Sequence, residues 1–167
     1  TIGFDGRVID AAFGRKLEKM LNDRNVTFEY ETDLADALWT DRPGMPASDI
    51  WVVPEAQCGK TVARKLAEVR EAMSKEEASH MLLAKLDDIM WLYNIRANDV
   101  DCNPVALSYT FISEKDAVIF VQNKALTEEA KAHFEKYKVQ VKDYTQIVQF
   151  LETCELKGKV MCAYSEI

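Results

Sequence analysis

The chain has 167 residues, a formal net charge of −7 and 48% hydrophobic residues. This length fits one ordinary domain, or one domain with an appendage, and the composition is that of a folded globular protein. Because binding to phosphate requires a basic surface, the excess of acidic residues argues against a nucleic-acid partner. No apolar run reaches the roughly 18 to 20 residues that span a bilayer, and Thr1 to Arg7 lack a signal-peptide layout. We therefore expect a cytoplasmic protein that has no membrane partner.

The first forty residues predict a β-α-β arrangement. Ile2 to Phe4 form an extended segment, and Val26, Phe28 and Tyr30 alternate with polar residues as in a half-buried strand. Between them lies a helix, and we expect its apolar positions to form one buried stripe: Ile9, Phe13, Leu17 and Met20. A short helix is predicted from Leu34 to Trp39.

A cluster of helix- and strand-breaking residues, Thr40 to Ser48, separates this part from the rest of the chain. Ile50 to Val53 follow as a short strand or an extended packing segment. A helix then begins at Thr61, with polar residues Arg64, Lys65, Glu68 and Glu71 expected on its solvent face. Its apolar stripe consists of Val62, Leu66, Val69 and Met73.

Strands and helices alternate through the second half of the chain. We predict a buried strand at Met81 to Leu83, preceded by His80, and a helix from Ile89 with Asp87 or Asp88 as its cap. An irregular stretch, residues 94–104, leads to a hairpin whose strands are Leu107 to Ile112 and Ala117 to Val121.

The last elements are marked by capping residues. Thr127 is placed to cap a helix, Asp143 with Gln146 resembles a capping box, and a final strand is expected at Val160 to Ala163. Between the two caps, Val139 and Val141 predict a strand. The order of elements predicts an α/β fold in which helices flank a mixed β-sheet.

Neither a catalytic residue nor a metal ligand is predicted in this chain. A hydrolytic metal site requires several carboxylates, usually with a histidine, converging on one point. The two histidines, His80 and His133, lie in no such arrangement, and Asp87 and Asp88 suit the positive end of a helix dipole. The cysteines show no C-x-x-C spacing and are expected to be free thiols: Cys58, Cys102, Cys154 and Cys162.

The segment Trp91 to Asp99 is the one whose composition suggests more than packing. Aromatic, amide, basic and acidic side chains crowd a helix end and its exit loop, where binding groups tend to lie. The candidate binding or interface residues are Trp91, Asn94, Arg96 and Asp99. In the structural alternative, Trp91 packs, Asn94 caps the helix, and Arg96 pairs with Asp99 or another acid.

The string of residues 86–96, followed by Asp99-Val100 and Asn103-Pro104-Val105, closely resembles the middle-domain signature of the long, three-domain Xaa-Pro aminopeptidases. Residues 38–43 resemble the segment that joins their first and second domains. Where the family usually has Gly-Ser after the arginine, this chain has Ala97-Asn98. If the family's glycine adopts a left-handed backbone conformation, we expect Asn98 to adopt it here, one position later.

The resemblance implies a creatinase-like fold in which residues 1–40 close a preceding domain, 41–49 are a linker and 50–167 are the middle domain. The metal-binding catalytic domain would lie outside this chain, so the chain itself would hold no cofactor. That domain would bind two divalent metals, commonly manganese, and remove an N-terminal residue that precedes proline. The chain's partners would be that domain and a second copy in a homodimer, while the enzyme's substrate would be a proline-containing peptide.

Two other hypotheses remain open at this point. The chain could be a stand-alone module with a creatinase-like scaffold that binds a peptide or protein without catalysis. The third hypothesis is a stand-alone thiol enzyme, but no spacing of cysteine and histidine residues in the sequence supports it.

Overall fold

The computed structural model describes residues 1–36, 38–163 and 165. The described residues form two compact units, one of the residues up to Met45 together with Ala163 and Ser165, and one of Pro46–Cys162.

The first unit is a small β-α-β arrangement, as predicted. Strand β1 (Ile2–Gly3) pairs in parallel with β2 (Phe28–Glu29), and helix α1 (Ala11–Leu21) connects them. Asp10 caps α1, because its carboxylate accepts a 2.7 Å hydrogen bond from the Phe13 backbone N–H.

The prediction that α1 carries a buried stripe is wrong. Phe13 is 49% exposed and Met20 is 66% exposed, and no residue of α1 is buried. The physical reason is that two paired strands of two residues each offer too little apolar surface to cover an eleven-residue helix.

The predicted helix from Leu34 to Trp39 is also wrong over its described residues, which form turns; Ala37 lies outside the described residues. The Asp33 carboxylate accepts hydrogen bonds from the backbone N–H groups of Ala35 and Asp36. This is the hydrogen-bond pattern of a helix cap, but the backbone N–H groups of Leu38 and Trp39 both donate to the Ala35 carbonyl, and no regular helix follows. Arg42 and Arg7 both contact the same Asp33 carboxylate, which ties the turns to the start of the unit.

The second unit contains the larger sheet. Its elements are β3 (Trp51–Val52), α2 (Glu55–Cys58), α3 (Val62–Lys75), β4 (Ala78–Leu83), α4 (Leu86–Tyr93), β5 (Ile95–Arg96), β6 (Ser108–Ser113), β7 (Ala117–Val121), α5 (Glu128–Lys136), β8 (Gln140–Asp143), α6 (Ile147–Thr153) and β9 (Lys159–Met161). Five strands form one sheet in the order β8-β7-β6-β4-β9. The outer pairs β7–β8 and β4–β9 are parallel and the inner pairs are antiparallel, so the predicted mixed sheet is confirmed.

Helices cover both faces of this sheet. On one face, α3, α4 and α5 pack through residues such as Leu66, Ile89 and Phe134 against Ile112 and Ile119 of the sheet. On the other face, Phe150 of α6 makes edge-to-face ring contacts with Phe111 and Phe120. All five residues of β7 are buried, as expected for a strand covered on both faces.

Three predicted helix starts are confirmed. The hydroxyl oxygens of Thr61 and Thr127 each accept a 3.1 Å hydrogen bond from the backbone N–H three residues later. Asp143 and Gln146 form the predicted capping box. By contrast, α4 begins at Leu86, so Asp87 and Asp88 lie in its first turn and not at its cap.

Several smaller predictions need correction. His80 lies within β4, where its ring stacks on Phe111, and does not precede that strand. The stretch 94–104, expected to be irregular, contains β5, which pairs with β3. Ile50 to Val53, left open between two readings, includes strand β3. The final strand is Lys159–Met161 and not Val160 to Ala163.

Over residues 1–36, 38–163 and 165, no helix combines the length and the apolar character that crossing a bilayer requires.

Candidate functional site

The four predicted site residues lie around the C-terminal end of α4 and the segment after it, residues 94–106, which we call the exit loop. Trp91 is 46% exposed, Asn94 is buried, and Arg96 and Asp99 are half-buried. The structure thus brings one exposed aromatic residue and three largely covered polar residues to the same end of a helix.

Asn94 ends α4. Its backbone is left-handed, with φ 54° and ψ 43°, and its N–H donates to the Trp91 carbonyl at 3.4 Å. Asparagine tolerates this conformation better than most residues, which accounts for its presence at the helix end. Its side-chain amide donates to the Lys60 carbonyl at 3.0 Å. Asn94 therefore caps the helix, as the structural alternative predicts.

A buried lysine that the sequence did not indicate completes this helix end. The Lys65 Nζ donates to the Asn94 Oδ1 at 2.5 Å and to the Trp91 carbonyl at 2.6 Å, and it lies 4.4 Å from the centre of the Trp91 ring. Lys65 is only 1% exposed, so its predicted place on the solvent face of α3 is wrong.

The electrostatic state of Lys65 follows from this placement. Burial lowers the pKa of Lys65 below its ordinary value, because removal from water disfavours the charged form. In the part of the chain that the structure describes, no carboxylate forms an ion pair with it. The negative end of the α4 dipole, two carbonyl oxygens and an aromatic face meet its charge instead.

Arg96 does not pair with Asp99, contrary to the structural alternative. Its Nη1 donates to the carbonyls of Met90 at 3.1 Å and Ile95 at 2.7 Å. Arginine near a helix C-terminus commonly satisfies carbonyls that have lost their helical partners. The position of Arg96 opposite Trp51 in the β3–β5 pairing places the two side chains on the same face of that ribbon, and Trp51 is 39% exposed.

Asp99 fastens the exit loop to the start of the second unit. Its Oδ1 accepts from the Ser48 N–H and the Ser48 hydroxyl, both at 2.7 Å, and its Oδ2 accepts from the Leu107 N–H at 2.8 Å. The Asn98 N–H donates to the Ser48 Oγ at 2.6 Å. Asn98 is not left-handed as predicted; Asn94 and Cys102 are the exit-loop residues with positive φ.

A shallow groove of about 190 Å³ lies next to this helix end, between α3, β4 and α4. It is lined by Val69, Met81, Leu83, Asp88, Trp91 and Leu92. Pockets for small molecules and cofactors measure about 300–1,000 Å³, so a single side chain suits this groove better.

The histidines and acids form no metal-binding arrangement in the described residues, where no three His, Cys, Asp or Glu side chains come together. The His133 Nε2 lies 2.7 Å from the Tyr93 carbonyl, which fixes its ring to the α4 end. The polar contacts around α4 and the exit loop therefore hold this surface in place through hydrogen bonds to backbone and amide groups.

The chain matches a domain family and several aminopeptidases. A family model described as the creatinase/prolidase N-terminal domain matches residues 41–166. The probable Xaa-Pro aminopeptidase P of Botryotinia fuckeliana is 34% identical over 150 residues, which are 88% of this chain and 23% of that protein. The corresponding protein of Penicillium rubens is 35% identical over 161 residues, covering 95% of this chain and 26% of its own length.

A solved structure shows the same fold. The X-prolyl aminopeptidase of Caenorhabditis elegans, described as a cytosolic enzyme with a di-nuclear active site, matches with a TM-score of 0.85 and 31% identity. The match covers 90% of this chain and 25% of that enzyme. The chain thus spans about a quarter of the length of the relatives it matches. With the family model matching most of its residues, the chain belongs to the creatinase/prolidase N-terminal domain family.

Proposed function

We propose that this chain is a non-catalytic accessory part of a metal-dependent Xaa-Pro aminopeptidase. The observation that carries the proposal is the structural match, in which 90% of the chain superposes on one quarter of the C. elegans enzyme. On this reading, the peptide bond before proline is cleaved by a catalytic domain held on another part of the polypeptide. The two divalent metals, which we propose to be manganese, belong to that domain, and the whole enzyme acts in the cytoplasm.

The proposal includes a division of the chain. Residues 1–40 complete a preceding creatinase-like domain, 41–49 form a linker and 50–167 form the middle domain. The change from one compact unit to the other after Met45, within the proposed linker, supports this division. The exposed apolar residues of α1, Phe13 and Met20, also support this division. In a complete domain, a sheet larger than these two short strands would cover their side chains.

The surface at the end of α4 is the proposed docking region for the catalytic domain or a second copy in a homodimer. Of the four candidate residues, Trp91 and Arg96 would meet the partner together with Trp51, while Asn94 and Asp99 would hold the surface in place. Tryptophan and arginine are enriched among residues that dominate interface energies. The buried contacts of Lys65 and Asp99 support the role, since they hold the surface rigid before it meets a partner.

A hybrid enzyme tests this proposal. The aligned quarter of the C. elegans enzyme is replaced by this chain, and hydrolysis of the peptide Arg-Pro-Pro is measured with bound metal and oligomer size. An accessory role predicts that the hybrid cleaves the peptide, whereas the C. elegans enzyme without that quarter does not. A hybrid that is folded and binds metal yet has no activity would contradict the proposal.

The alternative is a stand-alone creatinase-like module that binds a peptide or protein. The groove beside Trp91 is the observation that favours it, because it is concave and apolar. The hybrid enzyme distinguishes the two functions, because a stand-alone binding module is not expected to restore activity to the truncated enzyme.

A further inference from the structure

The groove between α3, β4 and α4 has apolar walls and a single charged residue. Val69, Met81, Leu83 and Leu92 supply aliphatic surface, Trp91 forms an aromatic wall and Asp88 provides the charge. Its volume of about 190 Å³ is below the range of small-molecule sites. The ligand that fits is therefore an apolar side chain presented by another polypeptide.

The aromatic wall is held in place before any ligand arrives. Below the Trp91 ring lies the Lys65 ammonium, 4.4 Å from the ring centre, and the same ammonium donates to the Trp91 carbonyl at 2.6 Å. Trp91 nevertheless remains 46% exposed. A rigid aromatic side chain loses little conformational entropy when a partner contacts it, which is why tryptophans serve as binding anchors.

The charge of the groove indicates which residue should stand next to that apolar side chain in the ligand. Asp88 is exposed, and across residues 1–36, 38–163 and 165 no lysine or arginine forms an ion pair with it. Asp87, the preceding residue, is exposed and unpaired in the same sense but does not line the groove. The chain carries a net charge of −7, so a basic partner is favoured over an acidic one.

We propose that this groove binds a basic, apolar polypeptide segment, in which an aliphatic side chain contacts Trp91 and an adjacent lysine or arginine pairs with Asp88. The inference deepens the alternative function named above, a module that binds a peptide or protein, because it states the chemistry of the ligand, and it does not depend on the accessory role. Its failure would leave the accessory role standing, and failure of the hybrid enzyme would leave the groove standing.

Three blocked dipeptides test the proposal on the unaltered chain: acetyl-Leu-Arg-amide, acetyl-Leu-Glu-amide and acetyl-Gly-Arg-amide. Each is titrated against isotope-labelled protein at constant ionic strength, and the NMR signals of the three tryptophan indole N–H groups and of the Met81 methyl group are followed. The Leu-Arg peptide is expected to shift the Trp91 and Met81 signals in a saturable way. The other two peptides lack either the positive charge or the aliphatic group. Each is expected to bind at least about two- to five-fold more weakly, which is the change in affinity that loss of a partly exposed ion pair produces.

A matched pair of variants identifies the charge responsible. Asp88→Asn is expected to bring the affinities for the Leu-Arg and Leu-Glu peptides within about two-fold of each other. Asp87→Asn is expected to keep the preference for Leu-Arg, because Asp87 does not line the groove. Both variants change the net charge equally, so a difference between them reports the local contact and not long-range electrostatics. Both positions are exposed, so neither change disturbs the core.

Equal effects of the three peptides, or equal loss of preference in both variants, would overturn the proposal. Shifts at Trp39 and Trp51 as large as those at Trp91 would also overturn it, since they would show non-specific contact. The same result would follow from a protein-concentration-dependent shift of Trp91 without peptide, which would assign the groove to a second copy.

Discussion

The Lys65 ammonium and the Asn94 side-chain oxygen lie 2.5 Å apart in the interior of the second unit, where both residues are only 1% exposed. Lys65 comes from α3 and Asn94 ends α4, so the contact joins two helices at the point where the exit loop begins. It orients the Trp91 wall of the groove as well, through the carbonyl that Lys65 shares with Asn94. One hydrogen-bonded pair thus supports both the helix end and the proposed binding surface.

Replacing Lys65 by methionine tests this contact. The change leaves the Asn94 side-chain oxygen without its buried donor and removes one of two donors to the Trp91 carbonyl, which costs about 1–3 kcal/mol of unfolding free energy. Urea denaturation is the measurement, and Lys75→Met, which removes an exposed ion pair with Glu71, should change the free energy by less than about 1 kcal/mol. If Lys65→Met is as stable as the unaltered chain, the free energy gained by removing the desolvated charge equals the free energy lost with the hydrogen bonds. The contact would then not be stabilising.

Asp99→Ala is expected to release the exit loop. It removes acceptors for three hydrogen bonds, two from Ser48 and one from Leu107, for a loss of about 2–3 kcal/mol in unfolding free energy. Amide hydrogen exchange should speed up at Ser48 and Leu107 more than in β7. Asp101→Ala, an exposed acid in the same loop, is the control and should leave both amides protected. Equal exchange in the two variants would show that other contacts hold the loop.

Arg96→Ala should destabilise the end of α4. The guanidinium donates to the Met90 and Ile95 carbonyls, and its loss is expected to lower the unfolding free energy by about 1–2 kcal/mol. The exposed Arg64, which pairs with Glu68 on α3, provides a matched Arg→Ala control with an expected change below about 1 kcal/mol. A hybrid enzyme in which Arg96→Ala leaves stability intact but abolishes turnover would assign Arg96 to substrate contact.

Tyr93 makes stability depend on alkaline pH. Its hydroxyl lies 2.5 Å from the Thr110 hydroxyl, which itself donates to the Val118 carbonyl, so Tyr93 donates its proton to Thr110. Burial raises the pKa of Tyr93 above its ordinary value, and the native chain keeps this proton when the unfolded chain loses it near pH 10. The unfolding free energy therefore falls as the pH rises through about 10, while below that pH the contribution is fully present.

Tyr93→Phe tests this sign. Urea denaturation between about pH 8 and about pH 11 should show a shallower decline for the variant than for the unaltered chain. Because the two proteins are compared at each pH, the contributions of Tyr144 and Lys65, whose pKa values are also shifted, cancel in the difference. Parallel curves for the two proteins would contradict the account of Tyr93.

Local signals in the sequence predicted much of the fold. The caps at Thr61 and Thr127 and the capping box at Asp143 depend on residues two or three positions apart, which a sequence displays directly. The alternation of strands and helices likewise predicted the mixed sheet. The resemblance to the family rested on the motif around α4, whose residues are contiguous, and the match of the family model to residues 41–166 confirms it.

The contacts that sequence reasoning missed join distant residues. Lys65 is separated from Asn94 by 29 positions, and Ser48 is separated from Asp99 by 51 positions. A lysine in an amphipathic helix resembles a solvent-facing residue until the carbonyls of another helix surround its ammonium. The missing stripe of α1 has a similar cause, since apolar spacing shows which residues share a face and not how much surface is available to cover that face.

The most direct test of the proposed function is the activity of this chain by itself. The purified chain is mixed with Arg-Pro-Pro and Mn²⁺, with and without a chelator, and released arginine and bound metal are quantified. We expect no hydrolysis above that of the buffer and no stoichiometric metal, because the proposed function assigns the chemistry to a domain elsewhere. Release of arginine that requires Mn²⁺ and stops with chelator would contradict it.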